Sequence, residues 1–368
     1  MKKILFLTLL PLCLSACNSA LSLKSLEGEQ LIHSEHQELF LLDSKPSNIG
    51  KYAAFASKEG YANPSAIKLE WKGGKAPYIV NISENEDMSN PYSVSVKAKN
   101  YDFYNAKTGT KYYWNVASGD KVSETSSFTT KDTKLRNIYV DGVDNFRDLG
   151  GYVTENNKVV KQGMIYRSGH FNEAKLTEMK LIITDSGLET VKNQLKIKTD
   201  IDLRKNTAGS DGTIETSGIT SSPLGSSVTY KQMPMYYDGQ NILEHNEEDK
   251  AAINLSSVKS FFECLADESN YPIVYHCVQG KDRTGCLSYL LGALLGEKED
   301  DLYRDYLFTN FSNSVGSPCK PTDISNRYGS TIGDYDGNTL QDKATNYLVN
   351  EIGVSHEDID NILNILLK

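Results

Sequence analysis

The stretch from Tyr271 to Gly296 constrains the fold more than any other part of the chain. Tyr271 to Tyr275 is β-branched or aromatic at every position but Pro272 and reads as a strand. A short loop follows, then an apolar helix from Thr284 to Leu295 closed by Gly296. A strand feeding directly into a buried helix belongs to an α/β domain, in which helices flank a central sheet. The rest of the C-terminal half has the same grammar. Lys198 to Leu203 reads as a second buried strand ending at Arg204. Ser257 to Ala266 sets Val258, Phe261, Phe262 and Leu265 at helical spacing behind a serine cap, and Ser355 with Asp358 starts a last helix through Ile359, Ile362, Leu363 and Leu366.

The N-terminal part reads differently. Ile67, Leu69 and Trp71 alternate with Lys68 and Glu70, and similar period-two runs follow at Tyr78–Ile82, Tyr92–Val96 and Tyr112–Val116, separated by turn residues such as Gly73-Gly74 and Ser118-Gly119-Asp120. That pattern predicts an all-β sandwich. The pieces "LEW", "YIVNIS", "TGTKYYWNV" and "SSFTT" resemble a fibronectin type III-like domain, a module that could bind a partner. The expected organisation is a leader over 1–16, a tether over 17–28, the sandwich over 29–131 and the α/β domain over 132–368.

The leader is short. Lys2 and Lys3 precede an apolar run from Ile4 to Leu14, too short for the roughly 20 residues of a spanning helix, and then Leu14-Ser15-Ala16-Cys17. This resembles the lipobox of bacterial lipoproteins, which implies that Cys17 is lipidated and that the mature protein is anchored in the cell envelope. Of six cysteines, four then remain: Cys264, Cys277, Cys286 and Cys319. So few thiols in a long chain are not a disulfide framework. A formal charge of −9 excludes a nonspecific grip on nucleic acid, so any phosphate recognition has to be local.

That locality is found in His276-Cys277-Val278-Gln279-Gly280-Lys281-Asp282-Arg283-Thr284-Gly285. A strand-to-helix turn aims successive backbone N–H groups and the positive end of the helix dipole at one point, where an oxyanion fits. Arg283, six positions after Cys277, can fold back and hold two phosphate oxygens. The same field favours a thiolate at Cys277.

The loop resembles the C-x5-R signature of the cysteine-dependent tyrosine and dual-specificity phosphatases. "VDNFRDLGGY", "IYRSGHF", "IDLR" and "LGALLGEKEDDLYRDYL" occur in the order found in the bacterial branch of atypical tyrosine and lipid phosphatases. The resemblance implies a cysteine-phosphatase fold, with Cys277 as nucleophile and Arg283 binding the phosphate. Val278, Gln279 and Gly280 would supply loop amides, and Lys281 a second cation at the rim, a feature that goes with phosphoinositide as well as phosphotyrosine turnover. Thr284 would hydrogen-bond the sulfur. Asp282 is the candidate general acid, Asp202 the runner-up and Asp148 the third. His276 and Asp202 would support the loop.

Other residues have two readings. Arg147 and Asp148, with Asn145, either line the substrate pocket or form a turn in which Arg147 pairs with Asp148 and Gly150 and Gly151 supply positive φ. Arg167 and Ser168 are weaker candidates for substrate contact, and Cys286 reads as core rather than as a resolving thiol. No metal or organic cofactor is expected, because no His/Cys cluster accompanies the loop. The expected function is hydrolysis of phosphate monoesters through a cysteinyl-phosphate. The competing reading is a catalytically silent, lipid-anchored binding or adhesion protein that uses the sandwich.

Overall fold

The computed structural model describes residues 20–53, 61–172, 182–205, 219–237 and 241–368. The leader and Cys17 lie outside the described residues. The early strands are β1 (Ser22–Leu23), β2 (Glu29–Gln30), β3 (Ile67–Lys72), β4 (Tyr78–Ser83), β5 (Tyr92–Val96), β6 (Asn100–Phe103), β7 (Lys111–Ser118), β8 (Lys121–Val122) and β9 (Ser126–Thr130). Later come β10 (Arg136–Asn137), β11 (Arg147–Asp148), β12 (Ile165–Ser168), β13 (Thr199–Asp202), β14 (Thr229–Gln232) and β15 (Ile273–His276).

The chain divides into two compact units, and the division does not fall at residue 131. Among the described residues, the first unit contains 20–26, 68–102 and 112–127. Here β1 pairs antiparallel with β3, β4 lies between β5 and β7, and β8 folds back on β7. Side chains alternate across each strand. Leu69, Trp71, Tyr78, Val80, Ile82, Trp114 and Val116 are buried, while Lys68, Lys72 and Ile79 face out. Trp71 meets Tyr78 edge to face at 5.3 Å, a preferred geometry for two aromatic rings.

The second unit takes in the described residues of 27–67, 103–111 and 128–368. Residues 29–53, 61–67 and 103–111, expected in the sandwich, therefore group with the α/β part. One cause is α1 (Glu35–Leu42), capped by Ser34, whose Phe40 is fully buried against Phe308 and Phe311. The sheet of this unit runs β10-β11-β12-β15-β13-β14, with β12, β15, β13 and β14 parallel to their neighbours in that order. Both of its faces are covered. Ile165, Ile201, Ile273 and Tyr275 point into one apolar cluster, and Tyr166 and Val274 into another with Phe146 and Phe171.

Among the helices on this sheet are α2 (Asp185–Glu189), α3 (Glu248–Leu265), α4 (Asp282–Leu295) and α5 (Glu299–Phe308). Helix α3 begins nine residues before the expected serine cap, and Ser257 lies inside it, donating to Pro234 O at 2.7 Å. Helix α4 is buried from Arg283 to Leu295, as its all-round apolar sequence requires. Gly296 ends it in the left-handed conformation, φ 76°. The last helix begins at His356, where Ser355 Oγ accepts the N–H of Asp358. None of the helices among the described residues is long and apolar enough to cross a membrane.

Candidate active site

In an open parallel sheet, ligands bind beyond the carboxyl ends of the strands. β15 is an inner strand, and its carboxyl end carries His276 and then Cys277. Residues 278–281 turn the chain, and α4 starts at Asp282. Cys277 and Arg283 are both buried, and Arg283 Nη1 lies 3.4 Å from Met235 O.

The loop carbonyls are turned outward and held. Val278 O accepts the backbone N–H of His170 at 3.0 Å and its ring Nδ1 at 2.6 Å. Gln279 O accepts Asn145 Nδ2 at 2.9 Å, and Gly280 O accepts Arg167 Nη2 at 2.6 Å. Because a peptide is planar and trans, each outward carbonyl turns the next N–H the opposite way. The amides of Gln279, Gly280 and Lys281 therefore face the inside of the turn. None of them donates to another backbone group among the described residues. Together with the positive end of α4, they form a nest for an oxyanion.

Gly280 is required at its place. Its φ is +67°, and a Cβ there would stand 2.4 Å from Ser168 O.

His276 is fully buried on the face it shares with β13. Its Nε2 lies 3.2 Å from Asp200 Oδ1, its Nδ1 lies 3.2 Å from Cys277 O, and Phe171 packs on its ring at 4.7 Å. Asp202 is also fully buried. Arg204 Nη2 donates to it at 2.6 Å and Tyr230 Oη at 3.1 Å. Burial alone would raise the Asp202 carboxyl. The neighbouring His276 and the bonded Arg204 outweigh that and hold it below the usual carboxylate range. A carboxylate held in its ionised form and bonded to Arg204 and Tyr230 is poorly suited to give up a proton.

Arg147 and Asp148 are both engaged by other groups of the protein. Asp148 Oδ2 accepts Arg136 Nη1 at 2.7 Å and the N–H of Gly163 at 2.6 Å, and Oδ1 accepts the N–H of Gly150. Arg147 donates to Asp305, Thr309 and Asn145 and does not pair with Asp148. Both side chains are buried. Of the two glycines, Gly151 has positive φ, at 104°, whereas Gly150 is needed for close approach to Lys161 O. Lys281 also departs from expectation. Instead of standing free at the rim, its ammonium is buried and donates to Ser317 O at 3.0 Å and Ser317 Oγ at 2.8 Å.

Asp282 is half-buried at the first position of α4, and its carbonyl accepts Tyr328 Oη at 3.0 Å. Thr284 Oγ1 is buried without a hydrogen-bond partner among the described residues. Cys286 lies in the core, where burial pushes its thiol well up, which suits a structural cysteine and not a resolving one. Burial likewise pushes the Cys319 thiol up to about 12. No group of three or more His, Cys, Asp or Glu among the described residues is arranged to hold a metal.

Asn145, Arg167 and His170 hold the loop carbonyls, and sequence reasoning gave none of them that role. Each lies more than 100 residues from the carbonyl it binds. The only local signal was their place inside "VDNFRDLGGY" and "IYRSGHF".

Residues 138–315 match the profile of the tyrosine phosphatase family. Over 184 residues the chain is 28% identical to a Cupriavidus necator protein whose tyrosine-protein phosphatase name is itself provisional. The alignment covers 47% of this chain and spans 63% of that relative's length. Two solved structures are similar at low level. The core catalytic domain of the PP-IP phosphatase Siw14 of S. cerevisiae, in complex with citrate, aligns at a TM-score of 0.28 and 17% identity, covering 49% of this chain and 84% of that one. A second Siw14 catalytic core aligns at 0.30 and 16%, covering 51% and 92%. Likenesses of that size do not bear on the chemistry of this chain. Residues 138–315 are thus similar to the phosphatase hydrolases of the tyrosine phosphatase type, over somewhat under half of the chain.

Proposed function

We propose that the protein hydrolyses phosphate monoesters through a cysteinyl-phosphate formed on Cys277. The observation that carries this reading is the outward fixing of three successive loop carbonyls, which turns the amides of 279–281 inward beside Cys277 and Arg283. In the first step the thiolate of Cys277 attacks phosphorus and the ester P–O bond breaks. The leaving oxygen takes a proton from Asp282, at the head of α4. Arg283 and the inward amides stabilise the equatorial oxygens of a loose transition state. In the second step water gives a proton back to Asp282 and attacks phosphorus. The S–P bond breaks, inorganic phosphate leaves and the thiolate returns. Thr284 Oγ1, buried without a partner among the described residues, would donate to the departing sulfur.

Phosphotyrosine is the first substrate class in this reading, with phosphoserine, phosphothreonine and phosphoinositides after it. Lys281 would serve a second phosphate only by exchanging its bonds to Ser317. The export leader, the lipidated Cys17, the envelope location and a fibronectin type III-like, partner-binding first unit belong to the same proposal. A silent adhesion protein is not favoured, since such a chain has no need to keep both Cys277 and Arg283.

The test is a panel of phosphopeptides and phosphoinositides given to the wild type and to Cys277→Ser. Phosphate release by the wild type alone supports the reading. Equal release by both proteins, or by neither, contradicts it.

A further inference from the structure

We infer that Asp305 is a positioning residue for the anion-binding loop, orienting two successive loop peptides through Arg147 and Arg167. The inference rests on the reading of that loop as the phosphate site. Asp305 lies on α5 and is buried. Its Oδ2 accepts Arg167 Nη1 at 2.5 Å, and Arg167 Nη2 then donates to Gly280 O at 2.6 Å. Its Oδ1 accepts Arg147 Nε at 2.6 Å. Arg147 Nη1 donates to Asn145 Oδ1 at 2.5 Å, and Asn145 Nδ2 donates to Gln279 O at 2.9 Å. Two relays thus leave one carboxylate and end on neighbouring carbonyls of the same loop.

Tying α5 to the sheet would need only one of these arginines. Two relays converging on consecutive peptides instead fix the direction of the Gly280 and Lys281 amides, which are the donors an oxyanion would use. The charges are consistent with such a hub. Two guanidiniums buried side by side repel each other, and Asp305 lies between them. Burial opposes its ionisation, but the two arginines outweigh burial and hold the carboxyl below the usual range. Arg167, at the end of the shorter relay, also lies within electrostatic reach of Cys277.

The test is a double-mutant cycle on the full chain with Asp305→Asn and Asn145→Gly. Glycine suits position 145 because the backbone there is left-handed, φ 57°. The readouts are kcat on an aryl phosphate, the Kd of inorganic phosphate by calorimetry, and a urea melt. Asp305→Asn should remain cooperatively folded while kcat falls by about 10²-fold, the size of losing one oriented donor, and phosphate binding weakens with it. Asn145→Gly should cost less, and the double variant should be little worse than Asp305→Asn alone, because the Asn145 relay already runs through Asp305.

A folded Asp305→Asn with wild-type kcat and phosphate Kd overturns the inference, as do losses that simply multiply. If Asp305→Asn does not fold, the half-buried Asn145→Gly decides alone, and wild-type kcat and Kd in that variant overturn the inference. The binding arm keeps the two levels apart. A wild type that binds phosphate but turns over no tested ester still reports on the relays, whereas one that does neither removes the site itself.

Discussion

Asp282 and Asp202 show how burial and partners separate two residues of the same type. Asp202 is closed in by Arg204 and Tyr230 and held ionised, while Asp282 sits half-buried at the helix start next to Arg283. Asp282→Asn should therefore slow phenyl phosphate by about 10²- to 10⁴-fold and an activated aryl phosphate far less, because a good leaving group needs no proton. Leaving-group dependence that appears in Asp202→Asn instead would move the acid to β13. Asp202→Asn has a different expected effect. It leaves Arg204 buried without its carboxylate, which costs on the order of 3 to 5 kcal/mol and should be read as an earlier urea midpoint. An unchanged midpoint would mean that the pair is not a stabilising contact.

At the scale of the element, the strand, turn and helix around Cys277 form one device. Its outline was legible in the sequence because the relevant spacings are short: an apolar strand, a glycine loop, and Arg283 six residues after Cys277. What fastens the loop was not legible. The partners of its carbonyls come from β11, β12 and the adjoining residues, and Asp305 is 138 and 158 residues from the arginines it joins, distances over which no local periodicity operates. For the same reason "RDLGGY" left two readings open, a pocket lining or a turn pairing Arg147 with Asp148, while the fold gives each a remote partner. Gly280 belongs to both descriptions, as a loop glycine by sequence and a close approach to Ser168 O by structure. Gly280→Ala should strain that contact and displace the inward amides, weakening inorganic phosphate binding by at least about tenfold with only a modest change in melting temperature. Calorimetry with phosphate checks this, and wild-type affinity would show that the close approach is tolerated.

On the scale of the whole molecule, the period-two runs foretold β3, β4, β5 and β7, but they could not show that residues 29–53 and 61–67 group with the α/β unit. His33 is part of that grouping and has a measurable consequence. It is buried, 3.3 Å from Thr133 Oγ1, and burial lowers its pKa to about 3. In the unfolded chain it titrates near 6.5, so between those values the unfolded state binds the extra proton. The stabilisation is complete above about pH 6.5 and is lost as pH falls toward 3, by a few kcal/mol in all. Urea midpoints taken at pH 7 and pH 5 should differ less in His33→Asn than in the wild type, and an equal difference would contradict that role. The most direct test of the catalytic site is a rapid acid quench with a labelled aryl phosphate, followed by peptide mapping. The expected result is phosphate bound to Cys277 in the wild type, increased in amount when Asp282→Asn slows the second step, and absent from Cys277→Ser. Turnover by the wild type with no label on Cys277, together with a Cys277→Ser protein that still releases phosphate, would contradict it.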